Sequence, residues 1–448
     1  MALHRRDFLT TLATTSALAL TTSPLAAAPT SRRGRDGALS GVRPDGSDDQ
    51  TSALQRAIDD AAERRVPLAL PPGNYRTGTL RLPSGAQLAG VRGATRLIFT
   101  GGASLFDSQG AETATLSGLV LDGAGIPLPS RRGLVHCIAA QDLRIEDCAI
   151  TASGGSGIWL EASSGTISNN TLTKIAVTGV VSFDAKGLRV DGNTIIDTND
   201  NGIEILRTSL GDDGTLVTGN RIENIKAGPG GSGQYGNAIT AFRAGNVVIS
   251  KNCDYSAVRG NSASNIQITG NSVLNVREVA LYSEFAFEGA VIANNTVDGA
   301  ALGVSVCNFN EGGRLSTVHG NIIRNLKPKR PIGTAPDDDA GIGIYVEADT
   351  AVSGNVIENA PSFGIVAGWG RYLRDVAVTG NVVRKSFIGI GVSVMDGAGT
   401  ATITGNVIAE TPRGAVVGLD HARPVTPDLT TPGATRFTQV SLGHNTTR

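Results

Sequence analysis

A short phrase returns along the chain: a strand-length run of alternating residues, then Thr/Ser/Asp-Gly-Asn, then another apolar residue. It is clear at Asn193, Asn220, Asn271, Asn355, Asn381 and Asn406 and looser at Asn170, Asn252, Asn295 and Asn321. Asp147 holds the matching place ahead of them, and successive marks lie 19 to 34 residues apart. Strand-length pieces repeating at that period can bury their apolar side only by stacking on the next copy. The chain is therefore expected to wind as a solenoid, because unrelated asparagine turns would not keep such intervals.

Residues 401–408 serve as a template for one coil. Ala401-Thr402-Ile403-Thr404 alternates with period two, so every second side chain points inward. Gly405-Asn406 reads as a corner, where both residue types tolerate a left-handed backbone. Val407 and Ile408 turn the chain back toward the interior. Asparagines stacked at this corner would bond amide to amide along the rod, satisfying buried polar groups.

Each coil also holds a strand that opens with Gly-Ile or a close variant: Gly157-Ile158, Gly179-Val180, Gly202-Ile203, Ala238-Ile239, Val279-Ala280, Gly303-Val304, Gly343-Ile344, Gly364-Ile365 and Gly389-Ile390. The fold expected is all-β: a single-stranded right-handed parallel β-helix of about thirteen coils, roughly 60 Å long, with an N-terminal capping helix. Ser47 or Asp48 can cap that helix, whose Ala53, Leu54, Ala57, Ile58 and Ala61 make one apolar face. Residues 66–70 read as a strand, 71–75 as a turn, and the Pro-rich residues 412–432 as a lead into a closing strand near 436–442.

Bulk properties exclude some partners. The 448 residues hold 58 Gly, only 18% charged residues and a formal net charge of -1, which argues against nucleic acid or an anionic membrane. Four cysteines are too few for a disulfide scaffold. Cys137 and Cys148 read as buried free thiols, with a disulfide between them as the alternative. The histidines show no metal-ligand spacing.

The first residues read as an export signal. His4-Arg5-Arg6-Asp7-Phe8-Leu9 precedes a moderately apolar run over residues 12–20, then Ala26-Ala27-Ala28. The run is too short and too rich in Thr and Ser to span a bilayer. The paired arginines followed by Phe-Leu resemble the bacterial twin-arginine signal, which implies the Tat export machinery as a partner and a periplasmic or extracellular destination. The organisation expected is a signal over 1–28, a flexible segment over 29–40, cap and first coils over 41–100, repeats over 101–411 and a closing segment over 412–448.

Gly41-Val42-Arg43-Pro44-Asp45-Gly46-Ser47-Asp48-Asp49-Gln50, the helix after it, and Leu70-Pro71-Pro72-Gly73-Asn74-Tyr75 resemble the entry to the pectate-lyase-like superfamily of right-handed parallel β-helices. With the signal and repeats, the chain is most similar to Tat-exported repetitive β-helix proteins of unassigned activity. The superfamily includes polysaccharide lyases, galacturonide hydrolases, uronan epimerases and phage tailspikes, so the resemblance implies an architecture more than a reaction.

Candidate functional residues lie on the outward positions of the Gly-Ile strands. Trp159 with Glu161, Ser182 with Asp184, Glu204, Thr240, Tyr282 with Glu284, Ser305, and Tyr345 with Glu347 form a stripe in which aromatic rings mix with carboxylates, and Arg207 and Arg243 stand at strand ends. Rings stack on the apolar faces of sugars, while carboxylates and arginines bond hydroxyls or uronates, so a polysaccharide is the expected partner. Trp159, Glu161, Arg207, Tyr345 and Glu347 are the expected binding residues; Glu204, Tyr282, Arg243, Glu284 and Asp184 are the catalytic candidates. A non-catalytic binding or structural β-helix, with the glutamates serving solubility and the tyrosines covering coils, is the alternative.

A hydrolase needs two carboxylates about 5 to 9 Å apart, which Asp184 with Glu204 on adjacent coils would supply. A lyase needs a base and a positive charge beside a uronate, for which Tyr282, Arg207 and Arg243 are the candidates. Residues 198–203 loosely resemble the Asn-Thr-Asp-Gly-Ile phrase of galacturonide hydrolases, but order and spacing differ, and their Gly-His-Gly and Arg-Ile-Lys motifs are absent. The Asp-Pro-His-Asp phrase of mannuronan epimerases is also absent. No cofactor is expected, apart from calcium through Asp337-Asp338-Asp339. Residues 228–235, 327–331 and 337–339 fill the widest gaps in the repeat and are expected as loops walling the stripe.

Overall fold

The computed structural model describes residue 39 and residues 41–230, 233–254, 257–331 and 339–448, and only the backbone of Cys253 and Asp254. The signal expected over 1–28 lies outside the described residues. From residue 41 onward the chain winds as a right-handed parallel β-solenoid, closed at its start by one helix.

Most coils carry three short strands rather than two; in Val356–Ala367 and Val382–Ser393 the two that follow the corner run together as one. In one coil, Thr171–Ile175 follows the asparagine corner, Val180–Phe183 is the Gly-Ile strand, and Arg189–Asp191 leads to the next corner. Among the described residues, the strands before the corner stack into a sheet of 15, and the other two sets form a sheet of 29. Fifteen rungs exceed the thirteen expected, and at the parallel spacing they extend about 67 Å. Their inward Ile, Leu and Val side chains form one continuous core along the rod.

The corner ladder accounts for the repeated asparagines. Asn193 Oδ1 accepts from both the backbone N–H and Nδ2 of Asn170, each at 3.0 Å, while Asn170 Nδ2 also donates to the Ile145 carbonyl at 2.8 Å. The same pattern runs unbroken through Asn220, Asn252, Asn271, Asn295, Asn321, Asn355, Asn381 and Asn406 to Asn445. Two details depart from expectation. The left-handed residue is the one before each asparagine, as at Gly192 (φ 65°) or Asn169 (φ 57°). The first rung is Cys148, whose N–H donates to Asn170, so Asp147 matches the glycine and not the asparagine.

The Gly-Ile signature has a steric origin. A Cβ on Gly343 would lie 2.3 Å from the Gly364 carbonyl oxygen of the next coil and 2.8 Å from Ile357 Cγ2. A side chain at the start of that strand would collide with the next coil. Gly343→Ala is expected to destabilise the protein by about 1–3 kcal/mol through overpacking, read as a lowered denaturant midpoint at unchanged slope.

The helix is Thr51–Glu63, burying Leu54, Ala57, Ile58, Ala61 and Ala62 over the first coil. Neither Ser47 nor Asp48 caps it. Both lie in the strand Asp45–Asp49, and Asp49 Oδ1 accepts the Thr51 N–H at 2.9 Å. The turn expected at 71–75 gives way to the strand Gly73–Thr77. At the far end, Gly414–Asp420 extends the large sheet and pairs antiparallel with Arg423–Asp428, whose Pro424 and Pro427 suit an edge strand. The closing strands are Val440–Gly443 and Thr446–Thr447. Cys137, Cys148 and Cys307 are free thiols.

Candidate functional site

Register fixes which outward residues share a line. Along the Gly-Ile strands the partners run His136, Trp159, Val181, Glu204, Thr240, Arg259, Tyr282, Ser305, Tyr345, Val366. Trp159, Glu204, Tyr282 and Tyr345 thus stack on one stripe. Ser182 does not: it pairs with Ile205 and is fully buried, and Val181 and Phe183 take the outward positions. Aligning Gly179 with Gly202 gives this phase directly, and Ser182 is a small inward residue.

Asp184, one residue past its strand, consequently sits at a corner (φ 52°) rather than beside Glu204. It accepts from the backbone and hydroxyl of Thr208. Burial raises its pKa, but these hydrogen bonds outweigh burial and leave it below the ordinary value. The carboxylate pair expected of Asp184 and Glu204 is not formed. Arg243 is exposed, donates to the Thr208 carbonyl at 2.8 Å and stacks on Phe242; it is not among the residues lining the recess at Tyr282. Arg207 stands on the same side, near Asp184 and Asp213.

Arg259 is the residue that sequence reading missed. Its coil spans only 19 residues between Asn252 and Asn271, and its strand, Ala257–Asn261, lacks the opening Gly-Ile pair. Counting one outward position per corner interval would have placed it. Arg259 is 8% exposed, ion-paired to Glu284 through Nε and Nη2, and stacked 5.5 Å from the Tyr282 ring centre.

Arg259, Tyr282 and Glu284 line a recess of about 320 Å³ on this face. Asn237, Ser305, Gly233, Tyr235, Arg277 and Arg330 are among its other lining residues. Two of the three insertions expected to wall the stripe, residues 228–235 and 327–331, therefore contribute residues to its lining. Tyr282 is 5% exposed, and its hydroxyl donates to the Gly233 carbonyl at 3.0 Å. Burial pushes its pKa up, with Arg259 only partly opposing. That environment keeps the phenol neutral and argues against the base role expected for it. Burial likewise raises the Glu284 carboxyl against the stabilising charge of Arg259.

One coil earlier, acidic groups cluster beside the recess. Asn201 Nδ2 donates to Glu204 Oε1 at 2.7 Å and to Asp200 Oδ1 at 3.3 Å, and Thr178 donates to Glu204 Oε2 at 3.2 Å. Burial raises the Glu204 carboxyl, and burial followed by Glu204 itself pushes Asp200 to about 7. A carboxyl raised in the folded state keeps a proton that the unfolded chain has lost. Its contribution to stability therefore falls as pH rises from about 4 to about 7. Asp200→Asn is expected to remove that decline, so the unfolding free energy of the variant varies less across the window than that of the wild type.

The remaining candidates occupy the two ends of the stripe. Trp159 Nε1 donates to Glu161 Oε1 at 2.8 Å, with Arg131 5.9 Å from the Trp159 ring centre. Tyr345 donates to Glu347 Oε1 at 2.6 Å, and the Phe309 N–H donates to Glu347 Oε2 at 2.7 Å. Trp369 meets Tyr345 and His421 edge to face, at 6.3 and 5.2 Å between ring centres. Among the described residues no group of three His, Cys, Asp or Glu side chains is placed to hold a metal ion. Asp337 and Asp338 of the expected calcium segment lie outside those residues. No described helix is long and apolar enough to cross a membrane.

Comparison with known proteins bears on the fold. The family described as "Right handed beta helix region" matches residues 129–210 and 209–383. No curated protein matches the chain by sequence. Among solved structures, gene product 12 of bacteriophage phi29 in its pre-mature form is similar at 17% identity and TM-score 0.52, covering 85% of this chain and 54% of that one. ORF18 of Geobacillus virus E2 is similar at 14% identity and TM-score 0.46, covering 58% and 56%. The A-module of Azotobacter vinelandii mannuronan C-5 epimerase AlgE4 is similar at 16% identity and TM-score 0.40, covering 91% and 93%. The chain spans about half the length of the two phage proteins it matches. Identities this low speak for the winding of the backbone alone.

Proposed function

We propose, from the premise that this chain belongs to the right-handed β-helix family, that it is an exported protein whose lateral recess binds a polysaccharide and processes it by elimination, hydrolysis or epimerisation. One observation carries this reading. Polar, charged and aromatic side chains from successive coils converge in a recess on one face of a sheet, where a merely solvated face would present separate, hydrated groups. Arg259, Tyr282, Ser305 and Arg277 offer donors to sugar hydroxyls or acid groups, and Tyr235 and Phe285 at the border offer ring surface.

Glu204 and Asp200 are the acid–base candidates under this reading, because they share the Asn201 amide and burial raises both carboxyls above their ordinary values. Non-catalytic binding is the second reading. The observation favouring it is that Tyr282, Glu284 and Glu347 are each engaged by protein partners. Export rests on the amino-terminal resemblance to a twin-arginine signal.

The test is incubation of the mature protein with a panel of uronans and neutral cell-surface glycans, reading absorbance near 235 nm alongside reducing ends. A processing enzyme loses at least tenfold in rate in Glu204→Gln, and Arg277→Ala weakens binding. Activity undiminished in Glu204→Gln removes the acid assignment. Binding without turnover selects the second reading, and absence of binding across the panel overturns both.

A further inference from the structure

One outward column of the large sheet changes character partway along the rod. The first residue after each asparagine corner faces outward, and in the earlier coils it includes Thr171, Thr194, Arg221, Ser272 and Thr296. Four consecutive rungs then carry Ile322, Val356, Val382 and Val407 in exact register. These side chains are 47%, 42%, 36% and 42% exposed. Stacked at the parallel spacing, they form one aliphatic ridge about 14 Å long. Single exposed valines are ordinary, but four in line where other coils place polar residues mark a contact surface.

The next outward column carries charge. Two residues further along the same strands stand Asp298, Arg324, Glu358, Arg384 and then Ala409, so the sign alternates from rung to rung. Each charge has a neighbour on its own rod. Arg324 meets Asp298 at 2.9 Å, Lys385 meets Glu358 at 2.9 Å, and Arg384 pairs with Glu410. These pairs tie adjacent rungs together, yet they leave the ridge beside them uncovered.

The order of signs says what can cover it. Turned end for end about a two-fold axis between the Val356 and Val382 rungs, the ridge meets its own copy. Val356 then faces Val382 of the second copy and Ile322 faces Val407. In the column alongside, Glu358 faces Arg384 at both symmetry-related places. A parallel pair could join the two ridges only by setting Glu358 and Arg384 against the uncharged corner glycines Gly354 and Gly380.

We infer that this ridge is the contact between two copies of the chain, packed antiparallel about that axis. The inference goes beyond the glycan reading and does not rest on it, because no ridge residue lines the recess.

Sedimentation equilibrium of the mature protein tests the association, with wild type expected to dimerise reversibly at micromolar concentration. Val382→Thr, which installs the residue type of the earlier coils, is expected to weaken dimerisation several-fold with the unfolding midpoint preserved. Glu358→Arg and Arg384→Glu are each expected to weaken it at least tenfold, and the double swap to recover most of the loss. Orientation is read by mixing Ile322→Cys with Val407→Cys in the presence of a short bismaleimide, with wild type as the blank. The two variants must link to each other and neither to itself, since equal rungs lie about 14 Å apart along the rods across the axis.

A monomer at every concentration overturns the proposal. Linkage within either cysteine variant alone overturns the antiparallel order, and a double swap no better than the single ones overturns the pairing of Glu358 with Arg384.

Discussion

Asn271→Ala is expected to lower unfolding free energy by about 2–4 kcal/mol. Asn271 sits in the middle of the corner ladder and is 2% exposed. Its Oδ1 accepts the Asn252 N–H at 3.1 Å and Asn252 Nδ2 at 3.0 Å, and its own Nδ2 donates to the Ile249 carbonyl at 3.1 Å. Alanine leaves the Asn252 N–H facing a dry wall without an acceptor, and a cavity where the amide stood. The half-exposed last rung gives the control. Asn445→Ala, where water can replace the lost amide, is expected to cost about 1 kcal/mol or less. Chemical denaturation of both variants reads the contrast, and equal costs at the two positions would show that the ladder adds nothing beyond ordinary turns.

Glu284→Ala carries the second large effect. It strips Arg259 of its carboxylate while the guanidinium stays enclosed between Tyr282 and the Gly233 carbonyl. Breaking a buried pair from one side typically costs about 3–5 kcal/mol, because the remaining charge is uncompensated. Replacing both members with apolar residues of similar volume, Arg259→Met with Glu284→Leu, is expected to be milder than either single change. Urea denaturation of the two singles and the double closes the cycle. Strict additivity would mean that the pair is not coupled and that the recess is wetter than its geometry indicates.

The sequence made the winding legible because its determinants are local and periodic. An asparagine corner must recur once per coil for its amide to meet the next, and a glycine must recur where coils touch, as Gly343 meets Gly364. Trp159, Glu204, Tyr282 and Tyr345 were placed on one stripe by that same period. Errors arose where the period is masked. Ser182 looks outward by polarity but is inward by register, and the phase of Asp184 slipped with it. Arg259 stands on the shortest coil without its glycine mark.

Partnerships were the least legible part of the site. Nothing in the spacing says that Tyr282 spends its hydroxyl on Gly233, or that Asn201 joins Glu204 to Asp200. Those contacts depend on side-chain geometry at a corner and on where the Gly233 backbone lies, neither of which periodicity encodes.

Ser305 offers the most direct test of the lateral recess as the binding site. It lies on the stripe between Tyr282 and Tyr345, lines the recess, and takes no part in the Arg259–Glu284 pair. Ser305→Trp fills that space. For a glycan selected from the panel, calorimetric titration is expected to show at least a tenfold loss of affinity with the unfolding midpoint preserved; undiminished affinity in a folded Ser305→Trp protein would place binding elsewhere on the rod and contradict the account.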